Sequence, residues 1–365
     1  MLESPKNLYI GVMSGTSLDA VDISLVEIDQ DHFNPLANLA FDLPQWLRDE
    51  IYQLNSPCDN DLDRSQRLSH QLGHFFADCC KALLSKTQIN PDQIAAIGLH
   101  GQTIRHQPNI KTPYTLQIGD PNIITEKLNI PVVADFRSRD IAASGQGAPL
   151  VPLFHKNLFG TKDANRAVVN IGGIANITLI KNNQIQLGYD TGPGNLLINL
   201  WINQTKNKQY DYQGNWARQG KVLTTLLTQM LADPYFELCA PKSTGRDYFN
   251  QQWLDQFNLK QCLEVDVMAT LTELTAVTIA NAIAAELDKV FILGGGAANH
   301  YLFERIQTHS PVKVLTSNAI GVDPNFVEAQ AFAWLAYRRI QFLCGNEPKA
   351  TGALGDRVLG AIYSA

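Results

Sequence analysis

The amino-acid sequence predicts an α/β fold built from two copies of one domain. Apolar β-rich runs alternate with segments of helical periodicity along all 365 residues. A strand–glycine turn–strand unit occurs twice, at residues 8–28 around Gly15 and at residues 167–180 around Gly173. These glycines lie 158 residues apart, which is about the length of one domain. We therefore infer that the same element opens each half of the chain.

In the first half, strands are predicted at residues 8–13 and 23–28, joined by the turn Ser14-Gly15-Thr16-Ser17. Apolar residues recur at helical spacing from residue 62 to residue 85 and predict a helix there. Further buried strands are expected at residues 95–99, 114–118 and 131–134. Because hairpins occur beside buried strands, part of the sheet should be antiparallel.

In the second half, the 167–180 unit is followed by helical patterns at residues 271–287 and 326–342, with a buried strand at residues 290–293 between them. No low-complexity tract separates the halves, so we expect a close-packed junction near residues 140–150. The predicted N-terminal domain comprises residues 1–145 together with residues 346–365. The predicted C-terminal domain comprises residues 146–345.

The composition is that of an ordinary globular protein, with 45% hydrophobic and 18% charged residues. The formal net charge of −6 argues against nucleic acid and anionic membranes as partners. The sequence has no N-terminal leader pattern and no apolar run of about 18 residues, so we expect a cytoplasmic protein. Its six cysteines are scattered without a Cys-x-x-Cys pair, so a zinc site is not expected.

The turn after the first strand has the residue types of a phosphate-binding loop. Gly15 allows a sharp turn that brings backbone N–H groups toward an anion, and the hydroxyls of Ser14, Thr16 and Ser17 add donors. Asp19 and Asp22 offer hard oxygen ligands for Mg²⁺. The alternative is an ordinary hairpin with polar loop residues. The loop is not a Walker sequence, which occurs nowhere in the chain.

Two further glycine turns, Gly172-Gly173 and Gly294-Gly295-Gly296, follow apolar strands. A helix is predicted from Asn299, so the third turn has the strand–glycine–helix order that places a nucleotide close to the backbone. It lacks the third glycine of a dinucleotide-binding fingerprint, which disfavours a dehydrogenase. Each glycine run alone could be a packing device, but three at strand ends favour a nucleotide site.

Asp190 is the candidate general base. It is predicted just after a strand and before a helical run at residues 196–201, within Asp190-Thr191-Gly192-Pro193-Gly194. An acidic side chain at such a position commonly faces a cleft, where it can take a proton. The alternative is an aspartate that caps the following turn or helix.

Polar residues also cluster at the predicted ends of the first-half strands: His100, Gln102, Asp120 and Arg137. Arg137 or Arg139 could bind a carboxylate through two hydrogen bonds, or could form a structural ion pair with Asp135 or Asp140. His100, taken alone, could equally be a loop histidine with its hydrogen bonds satisfied.

Together these motifs resemble the anhydro-N-acetylmuramic acid kinases of bacterial peptidoglycan recycling, over almost the whole chain. The segments that carry the resemblance are Gly11-Val12-Met13-Ser14-Gly15-Thr16-Ser17-Leu18-Asp19, Gly98-Leu99-His100-Gly101-Gln102-Thr103, Ala134-Asp135-Phe136-Arg137, Gln146-Gly147-Ala148-Pro149, Asn170-Ile171-Gly172-Gly173-Ile174-Ala175-Asn176, Asp190-Thr191-Gly192-Pro193-Gly194-Asn195 and Ser243-Thr244-Gly245-Arg246. The sequence departs from the family at Ala20 and Ser144, where glycine is usual.

The resemblance implies the sugar kinase/heat-shock 70/actin superfold, with two ribonuclease H-like domains and an interdomain ATP cleft. It implies that ATP, with Mg²⁺, and water convert 1,6-anhydro-N-acetylmuramic acid to N-acetylmuramic acid 6-phosphate. By the same resemblance Asp190 is the catalytic base, and Arg137 and Glu328 are candidate sugar-binding residues. His100, Gln102 and Asp120, from the clusters at the strand ends, complete the predicted substrate-binding set. The implied ATP-binding residues are Gly15, Thr16, Ser17, Leu18, Asp19, Ala20, Val21, Asp22, Gly172, Gly173, Gly294, Gly295 and Gly296.

Two other functions stay open at this point. One is a catalytically silent sugar- or nucleotide-binding protein on the same superfold, and the other is a different kinase or polyphosphate hydrolase. An acid at position 190 beside intact glycine turns favours the enzyme. The oligomeric state is also open, with a homodimer as one alternative.

Overall fold

A computed structural model describes residues 7–15, 18, 20–30, 32–246 and 248–365. These residues form a mixed α/β structure with two sheets, as predicted. The strands are β1 (Leu8–Ser14), β2 (Ala20–Ile28), β3 (Phe33–Asp42), β4 (Ile94–Gln107), β5 (Tyr114–Ile118), β6 (Val132–Ala134), β7 (Arg166–Ile171), β8 (Ile174–Lys181), β9 (Gln184–Pro193), β10 (Lys289–Leu293), β11 (Val314–Thr316) and β12 (Ala361–Tyr363).

The α-helices alternate with these strands along the chain. They are α1 (Gln45–Leu54), α2 (Asp61–Thr87), α3 (Pro121–Leu128), α4 (Ser138–Ile141), α5 (Pro152–Phe159), α6 (Leu196–Lys206), α7 (Thr224–Leu231), α8 (Pro234–Glu237), α9 (Gln251–Leu254), α10 (Glu264–Asn281), α11 (His300–His309), α12 (Val327–Ile340) and α13 (Pro348–Thr351). No helix in the described ranges is long and apolar enough to cross a membrane.

The two sheets share one strand order, which confirms the predicted duplication. In the first, β1, β2 and β3 form an antiparallel meander, and β4 and then β6 continue the sheet in parallel with β1. In the second, β7, β8 and β9 form the meander, and β10 and β11 continue it in parallel with β7. Three antiparallel strands followed by two parallel ones is the ribonuclease H-like order.

The chain divides into two compact units. The first contains the described residues up to Phe154 together with Phe326–Ala365, and the second contains His155–Asn325. The predicted domain division gave residues 326–345 to the second half. In the structure α12 instead packs against β1, β2 and β4. The chain therefore re-enters the first unit at Phe326 rather than at residue 346.

Two glycines explain why α12 lies against the first sheet. A Cβ atom at Gly11 in β1 would overlap the backbone carbonyl of Ala329, and one at Gly98 in β4 would overlap that of Phe332. Neighbouring residues of β1 face the opposite side of the sheet. There Ile10 packs in the core with Leu72 and Phe76 of α2. The glycines thus form a seam, defined here as Gly11 and Gly98, along which the helix backbone approaches the strands.

The second unit also has a core in which strand residues pack against helices. Val169 and Ile171 of β7 pack in one cluster with Ile279 of α10 and with Leu302 and Ile306 of α11. Helix α10 is buried around most of its circumference, so it fills the interior of this unit rather than covering its surface.

Candidate active site

Two residues of the predicted phosphate turn, Gly15 and Leu18, are described between β1 and β2. The Leu18 N–H donates to the Gly15 carbonyl at 3.3 Å, and Leu18 has a positive φ of 61°. The predicted loop is shorter than expected, because Ala20, Val21 and Asp22 already belong to β2. The remaining predicted loop residues, Thr16, Ser17 and Asp19, lie outside the described residues.

The residues at the ends of β1 and β4 lie side by side. Ser14 pairs in register with Gln102, and its hydroxyl donates to Gln102 Oε1 at 2.6 Å. Met13 pairs with the half-buried Asp22 on the other side of β1. The structure therefore brings Ser14 and Gln102 together at the ends of their strands, whereas Asp22 shares the sheet face of Met13, opposite to that of Ser14.

His100 and Arg137 form a hydrogen-bonded pair in the same unit. Burial, together with the nearby Arg137 charge, lowers the pKa of His100 to about 3, so the imidazole is neutral at pH 7. Nδ1 lies 3.2 Å from the Ser14 carbonyl and must donate there. Nε2 is then an acceptor for Arg137, whose Nη2 lies 2.9 Å away. The buried histidine therefore orients the half-buried guanidinium.

The loop that follows Arg137 is held by a carboxylate that sequence analysis considered only as an ion-pair partner. Asp140 is fully buried and accepts hydrogen bonds from the Gly147 N–H, Asn346 Nδ2 and the Thr351 hydroxyl, each at 2.8 Å. The Gly147 carbonyl in turn accepts from Arg137 Nη1 at 2.7 Å. Asp140 thus anchors the loop against which Arg137 is placed.

The other two predicted substrate residues occupy helix starts. Asp120 caps α3, since its side chain accepts from the Asn122 N–H at 2.9 Å. Glu328 lies half-buried in the first turn of α12. The ring of Phe332, one turn further along α12, lies 4.7 Å from that of His100, which places this end of the helix beside the His100–Arg137 pair.

In the second unit the Gly172-Gly173 turn is attached to the start of α6. The Gly172 carbonyl accepts from the Asn195 N–H at 2.8 Å, and the Gly173 carbonyl accepts from the N–H groups of Gly194 and Leu196 at 2.8 and 3.0 Å. The turn therefore lies beside the N-terminus of a helix, the end whose dipole favours anions.

The third glycine turn borders a cavity of about 720 Å³. Gly294 has a φ of +77°, and a Cβ atom at Gly296 would overlap the Ile171 side chain, whereas one at Gly295 would meet no atom within 4 Å. Ligand pockets typically measure about 300–1,000 Å³. The cavity is lined by Ala297, Ala298, His300, Phe303, Glu304, Thr316, Asn318, Asp323, Pro324 and Asn325. The sequence gave no signal for the residues after 300, which come from α11, from the end of β11 and from the connection between β11 and α12.

Asp190 lies inside a strand rather than after one. The sequence predicts that the strand ends before this residue, but β9 continues to Pro193 because Asp190 pairs with Asn176 of β8. Asp190 is 7% exposed, and its Oδ2 accepts from the Thr244 N–H at 3.0 Å. A carboxylate held in this way has a defined direction.

Comparison with known proteins identifies the family. The family model described as anhydro-N-acetylmuramic acid kinase matches residues 7–365. The chain belongs to the anhydro-N-acetylmuramic acid kinase family. It is therefore an enzyme, a sugar kinase, as the resemblance of its motifs predicts.

Curated members of the family are similar along their whole length. The anhydro-N-acetylmuramic acid kinase of Photobacterium profundum is 46% identical over 369 residues, covering 98% of each chain. That of Saccharophagus degradans is 46% identical over 368 residues, covering 98% of this chain and 99% of the relative. Among solved structures, a ROK family glucokinase from Streptomyces griseus, in complex with glucose and AMPPNP, aligns with a TM-score of 0.41 and 13% identity over 91% of this chain and 99% of its own.

Proposed function

We propose that this kinase uses ATP and water to open 1,6-anhydro-N-acetylmuramic acid and phosphorylate its O6, giving N-acetylmuramic acid 6-phosphate and ADP. The reaction belongs to cytoplasmic recycling of peptidoglycan sugars. The observation that carries the proposal is Asp190, a buried carboxylate oriented by the Thr244 N–H in a chain of this family.

In this proposal Asp190 acts as general base on the attacking water. The water oxygen forms a bond to the anomeric carbon of the sugar, and the bond between that carbon and O6 breaks. O6 takes the γ-phosphoryl group of ATP, while Asp190 accepts the proton that the water loses. The Thr244 N–H donates to one carboxylate oxygen and so orients the side chain for this role.

The cavity beyond Gly296 is the proposed adenosine site. Gly295 allows close approach of the nucleotide because its Cβ position is open. The proposed phosphate contacts are the Gly15 and Gly172-Gly173 turns, the latter at the start of α6. The interdomain position of the ATP cleft stays a prediction.

The donor set near Gly15 fits Mg²⁺. This ion takes oxygen ligands and commonly binds one or two carboxylates together with nucleotide phosphates and waters. Asp22, which pairs with Met13 in register, is one candidate carboxylate, and Asp19 is the further candidate, outside the described residues. Bound there, Mg²⁺ would neutralise phosphate charge.

On the sugar side, Arg137 is the proposed partner of the lactyl carboxylate. Its guanidinium is half-buried and fixed by His100 and the Gly147 carbonyl, so its direction is set before the substrate arrives. A pre-oriented guanidinium loses little entropy when it binds a carboxylate. Gln102, Glu328 and Asp120 are the proposed ligands of the sugar's polar groups.

The test is the substitution Asp190→Asn. We expect ATP and sugar binding within a few-fold of the wild type and a loss of about 10²–10⁴ in turnover. Asp255→Asn, an exposed carboxylate of the same unit, is the matched control and should keep full activity. Normal turnover in Asp190→Asn would remove Asp190 from the mechanism.

Turnover in ¹⁸O-water tests the bond that the water attacks. Mass spectrometry should find label at C1 and none in the phosphoryl group. The product kept in the same water measures exchange at C1 without the enzyme. Label in the phosphoryl group would show that water attacks phosphorus and would contradict the proposed reaction.

A further inference from the structure

Three hydrogen bonds join Asp190 to one short segment, residues 235–244. The Asp190 N–H donates to the Lys242 carbonyl at 3.1 Å, and the Tyr235 hydroxyl donates to the Asp190 carbonyl at 2.6 Å. The Thr244 N–H donates to the Asp190 carboxylate at 3.0 Å. The position and direction of this carboxylate therefore depend on where residues 242–244 lie.

Regular secondary structure does not hold these residues in place. Helix α8 ends at Glu237, and residues 238–246 belong to no helix or strand. The neighbouring β9 is paired to β8 along its length, and the segment meets β9 where the Lys242 carbonyl accepts from the Asp190 N–H. Side-chain contacts therefore contribute to fixing the segment.

Lys242 supplies such a contact. Its side chain is buried, and Nζ donates to the carbonyl oxygens of Tyr235 at 3.0 Å and Phe236 at 3.5 Å. These carbonyls lie in α8, and that of Tyr235 also accepts from the Leu238 N–H at 3.3 Å. Nζ also lies 4.6 Å from the centre of the Tyr235 ring. Within the described part of the chain Lys242 forms no salt bridge. Its amine contacts two carbonyl oxygens and an aromatic ring instead of a carboxylate.

We propose that Lys242 is a positioning residue for the catalytic base. Its amine fastens residues 242–244 to the end of α8, and this attachment sets the Thr244 N–H that directs the Asp190 carboxylate. The inference rests on the proposed role of Asp190. It predicts that Lys242 affects turnover and leaves substrate affinity unchanged, because Lys242 contacts neither proposed substrate site.

The main test is Lys242→Met, which keeps the chain length and removes the N–H donors. Displacement of a reacting group by about 1 Å costs on the order of 100-fold in rate, and we expect a loss of that size in kcat. KM for ATP and for the sugar should stay within a few-fold. Lys181→Met, a lysine of the same unit that pairs with Glu286 at the surface, is the control and should behave like the wild type.

The pH profile gives a second readout that a purely structural role would not change. A carboxylate that loses an N–H donor is a weaker acid, so the acid limb of kcat should move to higher pH in Lys242→Met. The other titratable groups near Asp190 and Lys242 are Cys239, Tyr189, Tyr235 and Tyr248. Burial raises the pKa of the three tyrosines, so they stay neutral across this limb.

A second variant decides the question if Lys242→Met does not fold. Lys242→Gln keeps one shorter, neutral donor and should lose about 10-fold in kcat with unchanged KM, as expected for one weakened hydrogen bond to a charged group. Variants that fold with reduced thermal stability but keep wild-type kcat and the wild-type acid limb would overturn the proposal.

Asp190→Asn, assayed in parallel, separates the two proposals. If it turns over normally, the proposed role of Asp190 fails and the inference fails with it. If it is inactive while both Lys242 variants keep wild-type turnover, only the inference fails.

Discussion

Acidification from pH 7 to pH 5 should weaken the folded state through its buried histidines, of which His100 and His155 are the most deeply buried among the described residues. His100 is 6% exposed in the first unit, and His155 is 1% exposed in the second, where its Nδ1 lies 2.9 Å from the Thr178 hydroxyl. Burial lowers the pKa of both imidazoles from 6.5 to about 3, with the Arg137 charge contributing at His100. Both side chains therefore stay neutral in the folded protein at pH 5.

The sign of the effect follows from proton uptake. Below pH 6.5 the unfolded chain binds protons at these positions, whereas the folded chain does not until about pH 3. The free energy of unfolding therefore falls as the pH falls between these values. Between pH 7 and pH 5 each histidine lowers the free energy of unfolding by about 2 kcal/mol, and the two together lower it by about 4 kcal/mol. The whole free energy of unfolding of a typical domain is only about 5–15 kcal/mol.

Urea unfolding of the wild type and of His155→Gln at pH 7, 6 and 5 measures the contribution of one histidine. Glutamine does not titrate, and its amide can bond to the Thr178 hydroxyl in place of the imidazole. The variant should lose about 2 kcal/mol less than the wild type between pH 7 and pH 5. NMR of the imidazole protons reports the pKa directly. Parallel pH dependence of the two proteins, or a folded-state His155 that titrates near pH 6.5, would refute the reasoning.

Two further substitutions test the binding sites. Arg137→Ala should weaken binding of the anhydro-muramic sugar by about 1.5–3 kcal/mol, measured by calorimetry, and affect an anhydro-glucosamine sugar less because that sugar lacks the lactyl group. Equal losses for both sugars would assign Arg137 to fastening the loop at Gly147. Gly295→Val should leave the thermal midpoint unchanged, because its Cβ position is open, but weaken binding of a non-hydrolysable ATP analogue. Unchanged affinity would show that the adenosine does not bind at this turn.

Elements with a strong apolar period could be located from the sequence. The strand predicted at residues 114–118 coincides with β5, and the helix predicted at residues 62–85 differs from α2 by a residue or two at each end. Periodicity does not show which partner an element packs against. The helical pattern at residues 326–342 was located correctly as α12, but its place in the first unit depends on the glycine seam, which carries no periodic signal.

Strand β3 had no sequence signal because it is an edge strand. Among the described strands it pairs with β2 alone, it includes Pro35, and it has no fully buried residue in its ten-residue length. An edge strand tolerates proline and a polar surface, since one of its sides needs no partner. Such a segment lacks the apolar alternation that identifies a half-buried strand.

The candidate site was predictable where chemistry and local sequence coincide. Asp190 and the glycine turns stand out because an acid beside glycines is unusual within a strand-rich region. The residues that orient the site, Thr244 and Asp140, do not stand out in the sequence in this way. Thr244 follows Asp190 by 54 residues in an irregular segment, and Asp140 binds groups 206 and 211 residues later. Contacts over such separations depend on the completed fold.

The discontinuous first unit has a consequence for biosynthesis. Helix α12 and strand β12 leave the ribosome only after the roughly 170 residues of the second unit have been made. At about 5–20 residues per second this delay is roughly 10–30 s. During that time the seam at Gly11 and Gly98 has no helix to cover it, and the edge of β6 has no partner in β12. The contiguous second unit is thus expected to reach its native state first, and the nascent N-terminal segment is expected to need chaperone protection while it waits.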